Sequence, residues 1–584
     1  MRRARGTHDR FLNTKKDEHD GGSNGGRTEA GKGEQSSDCL WVPLNLHLHQ
    51  AVTNWSLSWV SLLSQAAAVQ ILNEHHSSKS LMGQGLSVAV DGLSGQSLCK
   101  ADIKPWLFSK KKGSKSLDVD GGSGEMDAGV HVLVFPWPRQ GHINPMLHFA
   151  TALVQAGVQV TFLHTEHNLR RIAQAPPPGL RLLSLPDGLP DDHPRSFLQL
   201  MESMCVTGSA AYRALLMSLL SEASAPVTCV VADGNMPFAI NIAEDLGVPA
   251  LAFAGNSACS YLALLSVPKL VELGETAFPA DDPVCGVPGM EGFLRRRDLP
   301  RGLYCTEQGD GDPMVLKLAE VTARSCNAAR ALIINTAASM EGQALAHIAS
   351  RTSDVFTVGP LHARSRFAAS ASLWREDDGC MAWLDGHEDR SVVYVSLGSV
   401  AVITHQQSTE FLSGLAATGY AFLWVLRPDM VQTTSSALLR EAVAAAKGGK
   451  GRVVEWAPQR DVLRHRAVGC FLTHAGWNST LECAVEGVPM VCWPFFLDQL
   501  TNSRFVGAVW RTGLDMKDVC DRGVVERTVR EVMESDEIRG MAQAMSQQLR
   551  LDVMELGTSS SELERLVRFI TELRASLAQS GKND

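Results

Sequence analysis

The sequence predicts an α/β protein made of two doubly wound, parallel-sheet domains that face each other across a cleft. Three observations carry this. Short, continuous apolar runs alternate with segments of helical period, the pattern of strands buried on both faces of a parallel sheet. The alternation occurs twice, on either side of a polar connection at about residues 362–378. A chain of 584 residues is also too long for one ordinary core.

The first set starts at Val130. VHVLVFP is an unbroken apolar strand, INPMLHFATALVQAG has helical spacing and a glycine stop, and VQVTFLH is a strand again, giving a β-α-β beginning. VTCVVAD, MPFAINIAEDLG and VPALAFAG repeat it. The second set is SVVYVSLGS, the helical HQQSTEFLSGLAATG, then AFLWVLRP, RVVEWAP, VGCFLTH and VPMVCWP. The domains are set at 127–365 and 366–560. Residues 561–584 complete an amphipathic helix, SSELERLVRFITELRASL, free on this evidence to fold back on the first domain or to cap the second.

Residues 1–126 read differently. Gly/Ser-rich and Lys-rich tracts, DGGSNGGRTEAGKGEQSS and SKKKGSKSLDVDGGSGE, flank one uncharged run from Leu40 to Asn73. Such tracts do not pack a core, and an extension that is disordered or spurious is expected, with Met126 resembling an ordinary start. The uncharged run holds Asn45, Gln50, Asn54 and Gln65, which makes it a poor membrane span, and it lies too deep for a signal peptide. His47, His49, His75 and His76 lack Cys or carboxylate partners at ligand spacing, so no metal is assigned to them.

Composition excludes several classes. With 45% hydrophobic and 20% charged residues the chain is ordinary for a soluble protein, and a net charge of −9 gives no basic footprint for nucleic acid. Thirteen cysteines, without a C-x-x-C pair, fit reduced thiols and a cytoplasmic location. A monomer without stable membrane insertion is expected.

The richest stretch is CFLTHAGWNSTLECAVEGVPMVCWP, Cys470 to Pro494. Ser479 and Glu482 have capping-box spacing, and Gly487 stands where a helix would stop. Yet a strand that ends in a glycine turn and feeds a helix also offers free N–H groups to a phosphate. Gly476 would let a ligand approach the backbone, with His474 and the neighbouring polar side chains adding donors. Spacing alone leaves both readings open.

The 44 residues from Trp456 to Gln499, beginning WAPQRDVL, resemble the signature box of plant secondary-product UDP-sugar glycosyltransferases almost position for position. The resemblance runs from about Asp127 through LERLVRFI. It implies the GT-B fold, with two Rossmann-like domains, the first for the acceptor and the second for the UDP-sugar. In that family the position of Trp456 stacks on uracil, although a lone Trp is more often a core residue. Ala457 adjoins it and Gln459 matches a position near the uridine. His474, Gly476, Trp477, Asn478 and Ser479 match the diphosphate contacts, and Ser399 matches a second diphosphate-side position, with a plain loop serine the alternative. Glu482 matches the ribose ligand. Asp498 and Gln499 match the pair on the sugar hydroxyls, the Gln resembling glucose-preferring members.

The same resemblance makes His142, in FPWPRQGHINP, the general base, a role suited to imidazole. Asp233 is its implied partner; its alternative is to cap the following helix. Pro138, Met201, Phe253 and Met314 are set in the acceptor pocket. A threonine that many relatives carry near the donor sugar is replaced in FAGNS by Gly255, Asn256 and Ser257. The stretch around His142 looks most like the branch labelled 7-deoxyloganetic acid glucosyltransferase-like, with flavonoid, terpenoid and cyanohydrin acceptors open. The expected activity is inverting transfer of glucose from UDP-glucose to a hydroxyl or carboxyl of a small lipophilic metabolite, with no cofactor and no metal. The alternative is a non-catalytic binder of the same fold. A nucleotide-dependent oxidoreductase is disfavoured, because G-x-G-x-x-G is missing after the first strand.

Overall fold

Two all-parallel sheets organise the chain. The computed structural model describes residues 129–580 apart from 173–176, 223–225, 277–280, 302–312, 353, 365–371, 429, 432–449 and 517–518. All of these belong to one unit, Asp120–Asp584. The expectation for residues 1–126 lies outside the described residues.

The first sheet has seven strands: β1 (His131–Phe135), β2 (Gln159–Thr165), β3 (Leu180–Leu185), β4 (Cys229–Asp233), β5 (Ala250–Ala254), β6 (Leu332–Ile334) and β7 (Val355–Thr357), ordered β3-β2-β1-β4-β5-β6-β7. The second has six: β8 (Val392–Ser396), β9 (Ala421–Val425), β10 (Gly451–Val454), β11 (Val468–Thr473), β12 (Met490–Cys492) and β13 (Gly513–Asp515), ordered β10-β9-β8-β11-β12-β13. Four strands, β3, β6, β7 and β13, go beyond the sequence reading. Three of them are only three residues long, too short for an apolar period to register, and β3 is an edge strand broken by Arg181.

Strand order reverses between β1 and β4 in one sheet and between β8 and β11 in the other. The pairings Phe135↔Ala232 and Ser396↔Thr473 bring the carboxyl ends of each pair level. Loops leaving such switch points cannot cover one another, and the crevice between them is where doubly wound proteins bind ligands.

Side-chain alternation splits the first lobe's core in two. Val132 and Val134 join the cluster on one face, Leu133 and Phe135 the cluster on the other. The C-terminal helix Thr558–Ser580 supplies Leu563, Leu566 and Ile570 to the Val132 face. The Phe569 ring sits 5.4 Å from that of Phe356, and the Arg565 guanidinium lies 3.9 Å over Phe356. The last helix therefore folds back on the first lobe.

Candidate active site

A cavity of about 1080 Å³ opens between the carboxyl ends of the two sheets. His142 and Asp233 reach it from the first lobe; Ser399, Trp456, Ala457, Gln459, His474, Gly476, Trp477, Asn478, Ser479, Glu482, Asp498 and Gln499 reach it from the second.

His142 stands in the first turn of the helix Gln140–Gln155, directly after β1, and Asp233 is the last residue of β4. His142 Nδ1 and Asp233 Oδ2 are 2.7 Å apart. The other carboxylate oxygen accepts the Asn235 N–H at 3.0 Å, which fixes the group. The helix Pro237–Asp245 is entered from Met236 without a side-chain cap, so Asp233 does not cap it. Burial works against charge on His142, but the Asp233 charge and hydrogen bond, helped by Asp498, outweigh it and hold the imidazole pKa above its ordinary value. Gly255 leaves room for this ring, since a Cβ there would lie 3.3 Å from Nδ1.

The lobes meet beside His142. Pro145 lies inside the helix and has no N–H, so the Gly141 carbonyl four residues earlier loses its helical donor. Asn478 Nδ2 takes that carbonyl from the opposite lobe at 2.5 Å.

The helix Trp477–Glu486 corrects the capping-box reading. It begins with Gly476 as N-cap, placing Ser479 inside the first turn, and no side chain of its own caps it. Asp498 caps it from another helix, accepting the Trp477 N–H at 3.1 Å. Ser479 and Glu482 instead share the Gln459 amide, with Nε2 at 3.0 Å from Ser479 Oγ and 2.7 Å from Glu482 Oε2. Gly487, at φ 70°, ends the helix. The Trp477 indole is buried and donates to the Asn335 carbonyl of the first lobe at 2.8 Å, and the Trp477 N–H is taken by Asp498, so the next helix-start residues that line the cavity are Asn478 and Ser479.

His474 explains two glycines. A Cβ on Gly476 would sit 2.6 Å from His474 Nε2, and one on Gly398 2.4 Å from it, so both make space for the imidazole. Gly398 also needs its φ of +75°. Burial, with the charge of Arg427, lowers the His474 pKa to about 4, so the ring is neutral at ordinary pH. Arg427, unremarked in the sequence, is fully buried and anchors the Ser399 loop through the carbonyls of Gly398 and Ala401.

Burial raises the Asp498 carboxyl to about 6, against the pull of Asn502 and the Trp477 N–H. Burial also raises Glu482, with Gln459 and Arg460 opposing it. Gln499 spends its amide oxygen on Phe495 N at 2.9 Å and Phe496 N at 3.3 Å, keeping its NH₂ for other acceptors. Ser257 turns away from the cavity, donating to Asn502 Oδ1 at 2.7 Å across the lobes. Trp456 lines the cavity with Trp374 stacked behind it at 6.0 Å between centroids.

Of the four residues expected in an acceptor pocket, Phe253 and Met314 line the cavity. Pro138 and Met201 do not. Pro138 is buried behind the wall, its carbonyl accepting from Asn168 at 3.1 Å, and Met201 packs against the first-lobe core. Trp137, Arg139, Phe197 and Tyr261 line the wall without having been foreseen; Trp137 and Arg139 precede a helix and carry no period that aims them inward, while Phe197 and Tyr261 lie on helices whose period does not single out the side that faces the cavity. Among the described residues no group of three or more His, Cys, Asp or Glu could hold a metal ion.

A family model described as UDP-glucoronosyl and UDP-glucosyl transferase matches residues 370–548, and one described as plant protein of unknown function (DUF868) matches residues 62–133. The chain is 43% identical to myricetin 3-O-rhamnoside 1,2-glucosyltransferase UGT709G2 of Crocosmia x crocosmiiflora, over 77% of this chain and 97% of that protein. It belongs to the plant UDP-glycosyltransferases. A second member, the 7-deoxyloganetic acid glucosyltransferase of Catharanthus roseus, is 40% identical over 77% of this glycosyltransferase and 99% of its own length. The crystal structure of Os79 from O. sativa in complex with UDP superposes with a TM-score of 0.64 at 28% identity, covering 76% of this chain and 100% of that one. The two facing sheets are thus the GT-B fold, and this enzyme transfers a glycosyl group from a UDP-sugar to a small metabolite.

Proposed function

We propose that this glycosyltransferase moves glucose from UDP-glucose to a hydroxyl or carboxyl oxygen of a small lipophilic plant metabolite with inversion, His142 being the base and Asp233 its positioning partner. One observation carries the reading. The 2.7 Å His142–Asp233 pair opens into the same cavity as the helix start at Asn478–Ser479 and the Asp498–Gln499 pair.

With Nδ1 donating to Asp233, Nε2 keeps its lone pair and takes the proton of the acceptor O–H. The acceptor oxygen bonds to the anomeric carbon from one face as the bond to the UDP oxygen breaks on the other. That single displacement gives a β-glucoside and free UDP. Charge growing on the leaving diphosphate meets the N–H groups of Asn478 and Ser479 at the start of the helix Trp477–Glu486 and the neutral His474, so no metal is invoked. Trp456 takes the uracil face, Gln459 with Ala457 the uridine edge, Glu482 the ribose, and Asp498 with the Gln499 NH₂ the sugar hydroxyls, while Ser399 adds a donor on the phosphate side. The ten described cysteines are all unpaired, which supports a cytoplasmic enzyme, taken here as a monomer.

The test is UDP release by the purified chain with UDP-glucose and a panel of terpenoid and phenolic alcohols, with mass detection of hexosides. UDP binding without any release would favour the non-catalytic binder.

A further inference from the structure

Resting on that reading, we propose that the preferred acceptor carries a carboxylate and that Arg139 is the side chain that selects it. Arg139 is the N-cap of the helix that bears His142, and its side chain lines the cavity beside Trp137 and Phe197, whose rings lie 5.7 Å apart. Its guanidinium donates to the Arg195 main-chain carbonyl, and no carboxylate pairs with it among the described residues. The carboxylates on this side of the cavity are committed elsewhere, Asp233 to His142 and Asp187 to Arg195, whose Nε is 2.7 Å from Oδ2. Arg195 offers its neighbour no relief, since its positive charge adds to burial in lowering the Arg139 pKa.

A half-buried guanidinium without a counter-ion is an incomplete arrangement, because the desolvation of the charge is not offset by any pairing. Arginine presents a fork of donors matched to a carboxylate, and a hydroxy acid can fill it while its hydroxyl meets His142. The diphosphate is the less suitable partner. Trp137, Arg195 and Phe197, which opens the helix Phe197–Ser203, belong to the first lobe, whereas the helix start at Asn478–Ser479 belongs to the second.

The proposal also links recognition to chemistry. The Arg139 charge disfavours protonated His142. An acceptor carboxylate neutralises that charge and makes His142 a stronger base only when the matching acceptor is seated.

Matched pairs of hydroxy acids and their methyl esters provide the test, for example 4-(2-hydroxyethyl)benzoic acid and its ester within a panel that also spans terpenoid acids. The wild-type enzyme is expected to favour acids over esters by at least about tenfold in kcat/KM, as one charge-assisted pair implies. Arg139→Gln should bring that ratio near unity and Arg139→Lys retain part of it, while UDP affinity by calorimetry shifts less than about twofold. A urea midpoint unchanged from the wild type shows that the variants are folded. Esters used as well as acids by the wild type, or a loss of UDP affinity in Arg139→Gln matching the loss of turnover, overturns the proposal. Failure of the transfer reading would look different, with no UDP released with any acceptor, acid or ester.

Discussion

At the scale of single residues, the His142–Asp233 pair makes two predictions. On the proposed mechanism His142→Ala removes the base, whose contribution is typically ~100-fold to 10,000-fold, so transfer to an alcohol should fall by that order while calorimetric UDP affinity stays within about twofold. The base works only as neutral imidazole. Because Asp233 and Asp498 hold its pKa above the ordinary value, kcat/KM should decline as pH drops through a limb lying above about 6.5. Asp233→Asn removes the largest stabiliser of the imidazolium, so the limb should move to lower pH. The plateau should fall as well, since the tautomer is no longer fixed. A pH–rate profile checks both, and a limb that stays put in the variant would remove Asp233 from the mechanism. The pairing of these two residues was expected because the family resemblance extends over a turn histidine and a strand-end aspartate, and the two side chains do meet. Arg427 and Trp374 were not legible, because a buried arginine held by loop carbonyls and a linker tryptophan behind another ring leave no local spacing to read.

At the scale of elements, the helix start shows where local rules yield to packing. Ser479 and Glu482 satisfy the capping-box pattern, yet the helix begins earlier and its cap comes from Asp498. A side chain from a separate helix does the work that the local pair would have done, and the local pair is released to share Gln459. Pro145 works in the same way, ending one helical hydrogen bond so that Gly141 can receive Asn478 from the facing lobe. The tight glycine at this turn is directly testable. Gly476→Ala places a Cβ 2.6 Å from His474 Nε2, with Gly398 closing the opposite side, so the imidazole must move. Overpacking of this kind costs about 1–3 kcal/mol. Urea denaturation should show that loss, and UDP titration should show weaker binding as the displaced ring disturbs the proposed phosphate end. Wild-type stability together with wild-type UDP affinity would mean that the glycine answers to something other than His474.

At the scale of the molecule, the sequence shows two parallel sheets and a cleft because long apolar strands of five to seven residues dominate both switch points. It left open where the chain's last helix goes, since an amphipathic stripe specifies that a face is buried and not which surface buries it. The answer is the first lobe, reached after the chain has completed the second, so a segment far from β1 in sequence closes its core. Leu566 is fully buried among Val132, Val134 and Phe356, and Leu566→Ala leaves a cavity there. Such truncations cost about 2–5 kcal/mol, whereas Leu551→Ala, at a residue 57% exposed on the preceding helix, should change little. Denaturant unfolding of both variants separates a specific role of the helix from a general effect of losing a leucine. Because the helix closes the lobe proposed to bind the acceptor while the proposed uridine side lies in the other, Leu566→Ala should also lose transfer with heating before it loses UDP binding. Loss of both at the same temperature would show instead that the hydrogen bonds from Trp477 to Asn335, from Ser257 to Asn502 and from Asn478 to Gly141 make the two lobes one cooperative unit.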